Sequence, residues 1–201
     1  KETRNGLLGA DYSSKFSAWL ALGCISPRFI YQQLKQYEQT FQANESTYWL
    51  YFELLWRDYF RFMFKKHKAA FFKKNGFQNK SIETVENTER QEKWINGQTG
   101  QDFVDANMLE LKLTGFMSNR GRQNVASYLC NDLKLDWRYG ASYFEQQLID
   151  YDVCSNWGNW AYLAGVGNDP RGKREFNIEK QANDYDKLKT EYYFKTIKAR
   201  F

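Results

Sequence analysis

The pattern of apolar and polar positions along this chain favours long helices over many short strands. Apolar residues make up 42% of the sequence, and only two prolines, Pro27 and Pro170, interrupt it. Prolines punctuate chains built from short strands, so their scarcity points to helices. A chain of 201 residues is long enough to bury one substantial core. We therefore expect a single all-α domain over residues 1–201.

Helices are indicated at seven places along the sequence. Ser26 followed by Pro27 is an N-cap and first-turn signal, and Gly115 is a natural stop because glycine tolerates the left-handed conformation. The longest of these helices has apolar residues on almost every face, which predicts a central position packed on several sides. Segment 73–96 lacks clean periodicity and is predicted to cross the surface as loop and short turns. The predicted helices span 27–37, 46–66, 102–114, 119–132, 137–149, 156–164 and 187–201, the last lying on the surface.

The composition excludes several kinds of site. Cys24, Cys130 and Cys154 are odd in number and far apart, so neither a disulfide framework nor a close-spaced metal site is indicated. His67 is the only histidine, which excludes histidine triads and multi-histidine metal sites, and its expected role is surface solvation. No stretch of about eighteen apolar residues or signal-peptide core is present. We expect a cytoplasmic protein without a metal ion or a membrane partner.

Aromatic and basic residues are unusually frequent together. The chain has 16 Phe, 14 Tyr and 7 Trp. Filling a helical core explains most of these rings, and a flat cofactor or stacked bases would explain the surplus. The net charge is +5, and residues 57–80 hold eight Lys or Arg among aromatic rings with one acid, Asp58. Lysines beside exposed rings suit nucleic-acid binding. A solvated basic face over an aromatic core explains this segment equally well.

Three polar clusters are candidates for a site. Residues 150–162 combine two carboxylates and two asparagines with large aromatics, and residues 117–124 place Asn, Arg and Gln side chains at helical spacing. Together these two clusters predict a buried polar pocket lined by aromatics. The third cluster, residues 11–17, has three hydroxyls and a lysine that can hold phosphates. A serine-rich helix cap explains this third cluster better when it is taken alone.

These clusters lie in segments that resemble the helical FAD-binding domain of the photolyase and cryptochrome family. The resemblance covers nearly the whole chain. Within the family, the chain most resembles the DASH cryptochromes, which act as photolyases mainly on single-stranded DNA. Gln123 and Tyr162 distinguish this class from conventional photolyases, which usually carry Met and Trp at the two positions. The matching segments, in family order and spacing, are DYSSKFSAWLALGCISPR, FELLWRDYFRF, WINGQTGQDFVDANMLEL, TGFMSNRGRQN, DWRYGASYFEQQLIDYD and NWGNWAY.

The resemblance implies which residues contact FAD. The serine cluster would hold the pyrophosphate, and Arg122 would pair with Asp150 beside the isoalloxazine ring through bidentate hydrogen bonds. Asp152 would bind the ribose or the ring edge, and Asn156 would lie near flavin N5. The full set implied for the cofactor is Ser13, Ser14, Lys15, Phe16, Ser17, Glu53, Arg57, Phe116, Asn119, Arg122, Asp150, Asp152 and Asn156.

The resemblance also implies a reaction: an electron passes from excited, fully reduced FAD to a cyclobutane pyrimidine dimer, the ring splits and the electron returns. Trp56 and Tyr162 would stack on the flipped-out dimer, and Asn119 and Gln123 would supply polar contacts. Glu53 would donate a hydrogen bond to the dimer if burial keeps its carboxyl protonated.

Photoreduction of the flavin in this family commonly uses three tryptophans. Trp160 and Trp137 match the inner two. The outermost would lie about ten residues before Trp94, where this chain has Thr84 and Val85. The usual path is therefore broken at its outer end, and Trp94 itself is expected to pack in the core.

The expected partner is single-stranded DNA that contains pyrimidine dimers, with RNA and duplex DNA left open. Whole family members begin with an α/β antenna domain that carries a folate or deazaflavin, so we expect this fragment to lack that antenna cofactor. We expect a monomer, with an exposed former domain interface as the place for any association. Two alternatives stay open: a blue-light-sensing flavoprotein without repair activity, and a flavin-free helical nucleic-acid-binding domain.

Overall fold

A computed structural model of the protein describes residues 5–7, 12–169, 172, 174–185 and 189–198. Within those ranges the regular structure is helical and contains no strand, which confirms the all-α prediction. The α-helices are α1 (Phe16–Ala21), α2 (Pro27–Thr40), α3 (Glu45–His67), α4 (Thr88–Ile95), α5 (Asp102–Thr114), α6 (Asn119–Ser127), α7 (Trp137–Gln147), α8 (Val153–Leu163), α9 (Ile178–Tyr185) and α10 (Lys189–Lys198). A 3-10 turn at Lys68–Phe72 follows α3, and a π-helical turn at Tyr128–Asp132 follows α6.

Local capping signals account for where several helices begin and end. The Ser26 hydroxyl accepts a hydrogen bond from the Phe29 amide, as the N-cap prediction requires. A capping box between Asn44 and Thr47 starts α3. Gly115 ends α5 with a φ of 67°, a conformation that favours glycine, so its predicted role as a stop is confirmed.

Other predicted boundaries were wrong for physical reasons. Segment 73–96 was expected to be loop, yet Thr88–Ile95 forms α4; this helix is polar except for the buried Trp94, so its sequence has little apolar periodicity. α8 begins at Val153 rather than at residue 156, because the Asp152 side chain accepts from the Ser155 amide and caps it earlier. α9 was not predicted. α10 lies inside the predicted 187–201 helix, whose residues 187, 188 and 199–201 are outside the described ranges.

The apolar side chains gather in two clusters. The larger one lies among α4 to α8 and contains Trp94 and Trp137, so the core position expected for Trp94 is confirmed. The smaller one joins α1, α2 and α3 through Leu20, Ile30 and Leu54. α10 docks on α5, where the buried Lys189 ammonium donates to Asn107 and Glu110. The space between the two clusters is where the candidate site lies.

The predicted central helix is not the most buried one. α3 packs on α2, α8 and the 3-10 turn, but only three of its 23 residues are fully buried. In α5, by contrast, eight of 13 residues are buried. The aromatic residues that suggested a central α3 instead stand partly exposed along its length.

The remaining single-residue expectations concern histidine and cysteine. His67 is partly buried and its ring stacks on Phe77 at 4.8 Å, so the expected role in surface solvation was wrong. Cys24, Cys130 and Cys154 are free thiols.

None of the helices within the described ranges is long and apolar enough to cross a membrane. Those same residues contain no group of three or more His, Cys, Asp or Glu side chains arranged to hold a metal ion.

Candidate active site

Three adjoining cavities lie between the two apolar clusters. Their volumes are about 490, 270 and 120 Å³, and all three are lined by Asn119, Arg122 and Asp150. These shared walls make them one branched cavity, bounded by residues 12–17, α3, the start of α6 and the start of α8. A pocket of this size that mixes apolar walls with a few polar groups is typical of a cofactor site.

An ion pair stands at the junction of the three branches. One Arg122 nitrogen, Nη2, donates to both carboxylate oxygens of the buried Asp150 at 3.0 and 2.9 Å. Arg122 Nε donates to the Met117 carbonyl at 2.8 Å, which fixes the guanidinium from its other side. The pair expected from the sequence is present, but a single nitrogen bridges the two oxygens instead of the expected bidentate fork.

The serine cluster lines the largest branch. Ser13, Ser14 and Ser17 are exposed there, and the Ser13 hydroxyl accepts from the Lys15 amide at 3.2 Å. Lys15 itself has a left-handed backbone with a φ of 59°, which turns the chain just before α1. This bend brings three hydroxyls to one wall of the cavity.

Lys15 is held between two aromatic rings. Its ammonium lies 4.0 Å from the centre of the Tyr12 ring and 4.1 Å from that of Phe116. Burial lowers the pKa of Lys15, whereas the carboxylates of Glu110 and Asp150 oppose that change. Burial, followed by the charge of Glu110, raises the pKa of Tyr12 to about 12. Tyr12 was not singled out from the sequence, although it directly precedes Ser13 within the 11–17 cluster and lines the same branch.

One stripe of α3 faces the cavity. Glu53, Trp56 and Arg57 line the 270 Å³ branch together with Phe16 of α1. Arg57 Nη2 donates to the Leu20 carbonyl at 3.3 Å and ties α3 to α1. Glu53 also lines the largest branch, and its side chain is exposed.

The start of α8 supplies two further polar side chains. Asp152 caps this helix and also accepts from Arg61 of α3 at 3.1 Å. Burial would raise the pKa of Asp152, but hydrogen bonds from Ser155 and Arg61 outweigh burial and hold it below its usual value. Asn156 is buried, lines the smallest branch and donates to the Ala141 carbonyl at 2.9 Å. The Asp152–Arg61 pair was not foreseen.

Four of the five predicted substrate contacts line the branched cavity, and the fifth stands at its edge. Gln123 lines the smallest branch, and Asn119 lines all three. Tyr162 lines none of the three branches; its ring meets Trp56 edge-on with centroids 6.5 Å apart, and its hydroxyl accepts from Arg174. Arg174 also pairs with the buried Asp169, so this arginine, missed from the sequence, fixes the position of Tyr162.

The tryptophans expected to carry electrons lie in the larger cluster. Trp160 is buried, lines the smallest branch and packs edge-on against Phe144 with centroids 5.1 Å apart. Trp137 is buried, donates to the Lys74 carbonyl at 2.9 Å and meets Trp157 edge-on with centroids 5.7 Å apart. Trp157 had not been singled out from the sequence.

Comparison with known proteins decides the family. A protein-family model described as "FAD binding domain of DNA photolyase" matches residues 49–196. The chain belongs to the photolyase and cryptochrome family. It is 64% identical to Cryptochrome DASH of a Synechocystis strain and 61% identical to that of Danio rerio, over 92% of this chain in both cases. Those matches cover 38% and 36% of the relatives, so the chain spans well under half of their length.

Solved structures give the same family. The chain superposes on a Synechocystis cryptochrome with a TM-score of 0.92 and 62% identity, covering 96% of this chain and 40% of that one. A class III photolyase from Agrobacterium tumefaciens matches with a TM-score of 0.84 and 29% identity, covering 94% of this chain and 39% of that one. An archaeal photolyase from Sulfolobus tokodaii, solved with two FAD molecules, matches with a TM-score of 0.78 and 31% identity, covering 94% of this chain and 42% of that one.

FAD is the cofactor of this domain, and the residues present fit it. Hydroxyls of the serine cluster suit a diphosphate, since short hydroxyl and amide donors bind phosphate oxygens. The Arg122–Asp150 pair presents both a donor and an acceptor to a polar ring edge. Aromatic walls from Phe116 and Trp160 suit a flat ring system.

Proposed function

We propose that this chain is the catalytic domain of a light-driven lyase that repairs cyclobutane pyrimidine dimers in single-stranded DNA. The observation that supports the proposal is the branched cavity, whose walls include the serine hydroxyls, the Arg122–Asp150 pair, Glu53 and Trp56. A dimer that enters this space would lie against the cofactor, and the reaction would need no side-chain nucleophile.

The residues that line each branch of the cavity would contact a different part of FAD. Ser13, Ser14 and Ser17 would hold the diphosphate, and Lys15 would contribute positive charge beside them. Arg122 and Asp150 would orient the ring system, with Asn156 and Asp152 at its edge. Phe16, Arg57, Phe116 and Asn119 would complete the walls. Reduced FAD, when bound and excited by blue light, supplies the electron that starts ring splitting.

Glu53, Trp56, Asn119, Gln123 and Tyr162 would receive the flipped-out dimer. Trp56 offers an indole surface, and the two amides offer donors to the dimer carbonyls. A base seated on Glu53 would cover its carboxyl, and burial favours the protonated form that can donate a hydrogen bond. The substrate itself would thus supply the burial that this residue lacks in the free protein.

The basic segment after Trp56 supports a nucleic-acid partner. Lys65 and Lys66 are exposed beside Phe62, and Phe72 is exposed further on. Lysines neutralise phosphates while exposed rings stack on bases, and flipping a dimer costs less from a single strand because no pairing is broken. Duplex DNA is a weaker candidate on this ground, whereas RNA stays open. The electron path would run through its two inner tryptophans, Trp160 and Trp137, with no tryptophan at Thr84 or Val85 to form its outer end.

A blue-light sensor without repair activity is the second candidate function, favoured by the name cryptochrome that the relatives carry. It shares the cavity and the cofactor but needs no dimer contact. The family match favours both flavin hypotheses over a flavin-free nucleic-acid-binding domain.

Substitution of Glu53 separates repair from sensing. FAD-loaded protein is illuminated with an oligonucleotide that carries one thymine dimer, and restored thymines are counted per absorbed photon. We expect Glu53→Ala to lower this yield about tenfold, because one hydrogen bond to the dimer is lost. Glu53→Gln keeps a donor and should retain most of the yield, whereas Glu45→Ala, on the same helix outside the cavity, should leave it unchanged. Equal yields for wild type and Glu53→Ala would remove Glu53 from the reaction.

A further inference from the structure

A fourth cavity of about 370 Å³ opens on α3 outside the branched cavity. We call it the flank pocket; its walls are Phe52, Leu55, Trp56, Tyr59 and Asn168. The four α3 residues are spaced i, i+3, i+4 and i+7, so they form one stripe of the helix. Trp56 is the one wall that the flank pocket shares with the 270 Å³ branch. The two cavities therefore share a single indole as a wall.

The rings of the flank pocket meet edge-on. Trp56 meets Tyr59 with centroids 5.4 Å apart and planes at 83°, and it meets Phe52 at 81°. Each edge-on contact covers one face of one ring, and the partly exposed Tyr59 ring keeps surface open to a flat guest. Leu55 and Tyr59 are 44% and 37% exposed, so a guest can enter from solvent. Base stacking on such faces is strong and tolerant of sequence.

Asn168 gives the flank pocket one polar group. Within the described part of the chain its Oδ1 is shielded from solvent and has no hydrogen-bond partner. A shielded amide oxygen without a partner costs free energy, and rotation of the amide can present an acceptor and a donor to a guest. Each nucleobase has donors or acceptors on its edge that an amide can meet.

The positive charge on the second half of α3 favours a nucleic-acid strand as the occupant. Along α3, residues 45–56 contain two acids and no Lys or Arg, whereas residues 57–67 contain four Lys or Arg and one acid. The flank pocket straddles this change, so a strand seated there would run its phosphates onto Arg61, Lys65 and Lys66. An apolar peptide helix would gain nothing from that charge.

We propose that the flank pocket binds the unpaired base next to the dimer in the same strand. The proposal rests on the proposed function, because the shared indole then separates the dimer in the branched cavity from its neighbour in the flank pocket. Capture of the neighbouring base holds the strand bent around Trp56. A paired base cannot enter this pocket, so the flank pocket favours single strands.

The test uses FAD-loaded protein and a short single-stranded oligodeoxynucleotide with a fluorescent aminopurine beside a thymine dimer. Stacking in the flank pocket should quench the aminopurine. We expect Tyr59→Ala to abolish the quenching and to weaken binding about tenfold, because one stacking contact is lost. Tyr59→Phe keeps the ring and should behave like wild type. Tyr139→Ala removes a tyrosine that is 41% exposed on α7, outside the pocket, and it should change neither signal.

Three outcomes separate this proposal from the function on which it rests. Quenching that Tyr59→Ala abolishes, in a protein that repairs no dimer in light, supports the flank pocket and contradicts repair. Unchanged quenching and affinity in Tyr59→Ala, in a protein that repairs dimers, overturns the flank pocket alone. Self-association that Leu55→Glu abolishes, with aminopurine fluorescence unaffected by any of these substitutions, assigns the pocket to a second copy of the chain and also overturns the proposal.

Discussion

α5 and α3 are both rich in apolar residues, yet the fold uses them in opposite ways. α5 lies inside the larger cluster, where Val104, Met108 and Leu111 have no exposed surface. α3 lines both the branched cavity and the flank pocket and keeps many of its rings partly exposed. The comparison teaches that an apolar composition alone does not decide how deeply a helix is buried, because burial depends on what packs against each of its faces.

The largest expected effect contrasts one leucine from each helix. Leu111→Ala removes a side chain with 0% exposure and should lower the free energy of unfolding by about 3 kcal/mol, from lost burial and a residual cavity. Leu55→Ala removes one that is 44% exposed and should cost less than about 0.5 kcal/mol. Urea unfolding of both variants measures this difference. Equal losses would show that α3 is a core helix after all.

A smaller effect is expected at the cavity junction. Asp150→Ala leaves Arg122 without its carboxylate and should weaken FAD retention about thirtyfold while helical content is kept. Glu89→Ala breaks the exposed Glu89–Lys93 pair on α4 and serves as the matched control with unchanged FAD content. Retention is measured as flavin absorbance per protein after gel filtration. A fully loaded Asp150→Ala protein would contradict the role of this ion pair.

The smallest effect is expected on the exposed basic end of α3. Phe62 is 67% exposed next to Lys65, and Phe62→Ala should weaken binding of undamaged single-stranded DNA about fivefold through one lost stacking contact. Phe41→Ala removes a ring that is 72% exposed at the end of α2, outside the basic segment 57–80, and should leave the affinity unchanged. Fluorescence anisotropy at fixed salt gives both affinities. Identical losses would show that the basic segment does not define the binding surface.

Sequence patterns predicted those features of the fold that depend on local chemistry. The caps at Ser26 and Gly115 follow from residues within one or two helical turns. α4 was missed because one buried ring, Trp94, anchors an otherwise polar helix. Local periodicity cannot report a contact whose other half lies elsewhere in the fold.

In the candidate site, too, some contacts could be predicted from the sequence and others could not. Family resemblance correctly paired Arg122 with Asp150, but the Arg61–Asp152 pair joins residues 91 positions apart and has no local signal. The exposure of Glu53 has no local signal either, since its helix is apolar and only the tertiary packing leaves that face open. What the sequence lacked was the identity of distant partners.

The most direct test of the central claim is light-dependent repair by the wild-type chain. Protein loaded with reduced FAD is mixed with single-stranded oligonucleotides that contain one thymine dimer, and restored thymines are measured by chromatography after blue light or darkness. We predict restored thymines in the illuminated sample alone. A protein that binds FAD and the oligonucleotide yet leaves the dimers intact in light would contradict the repair function and favour light sensing.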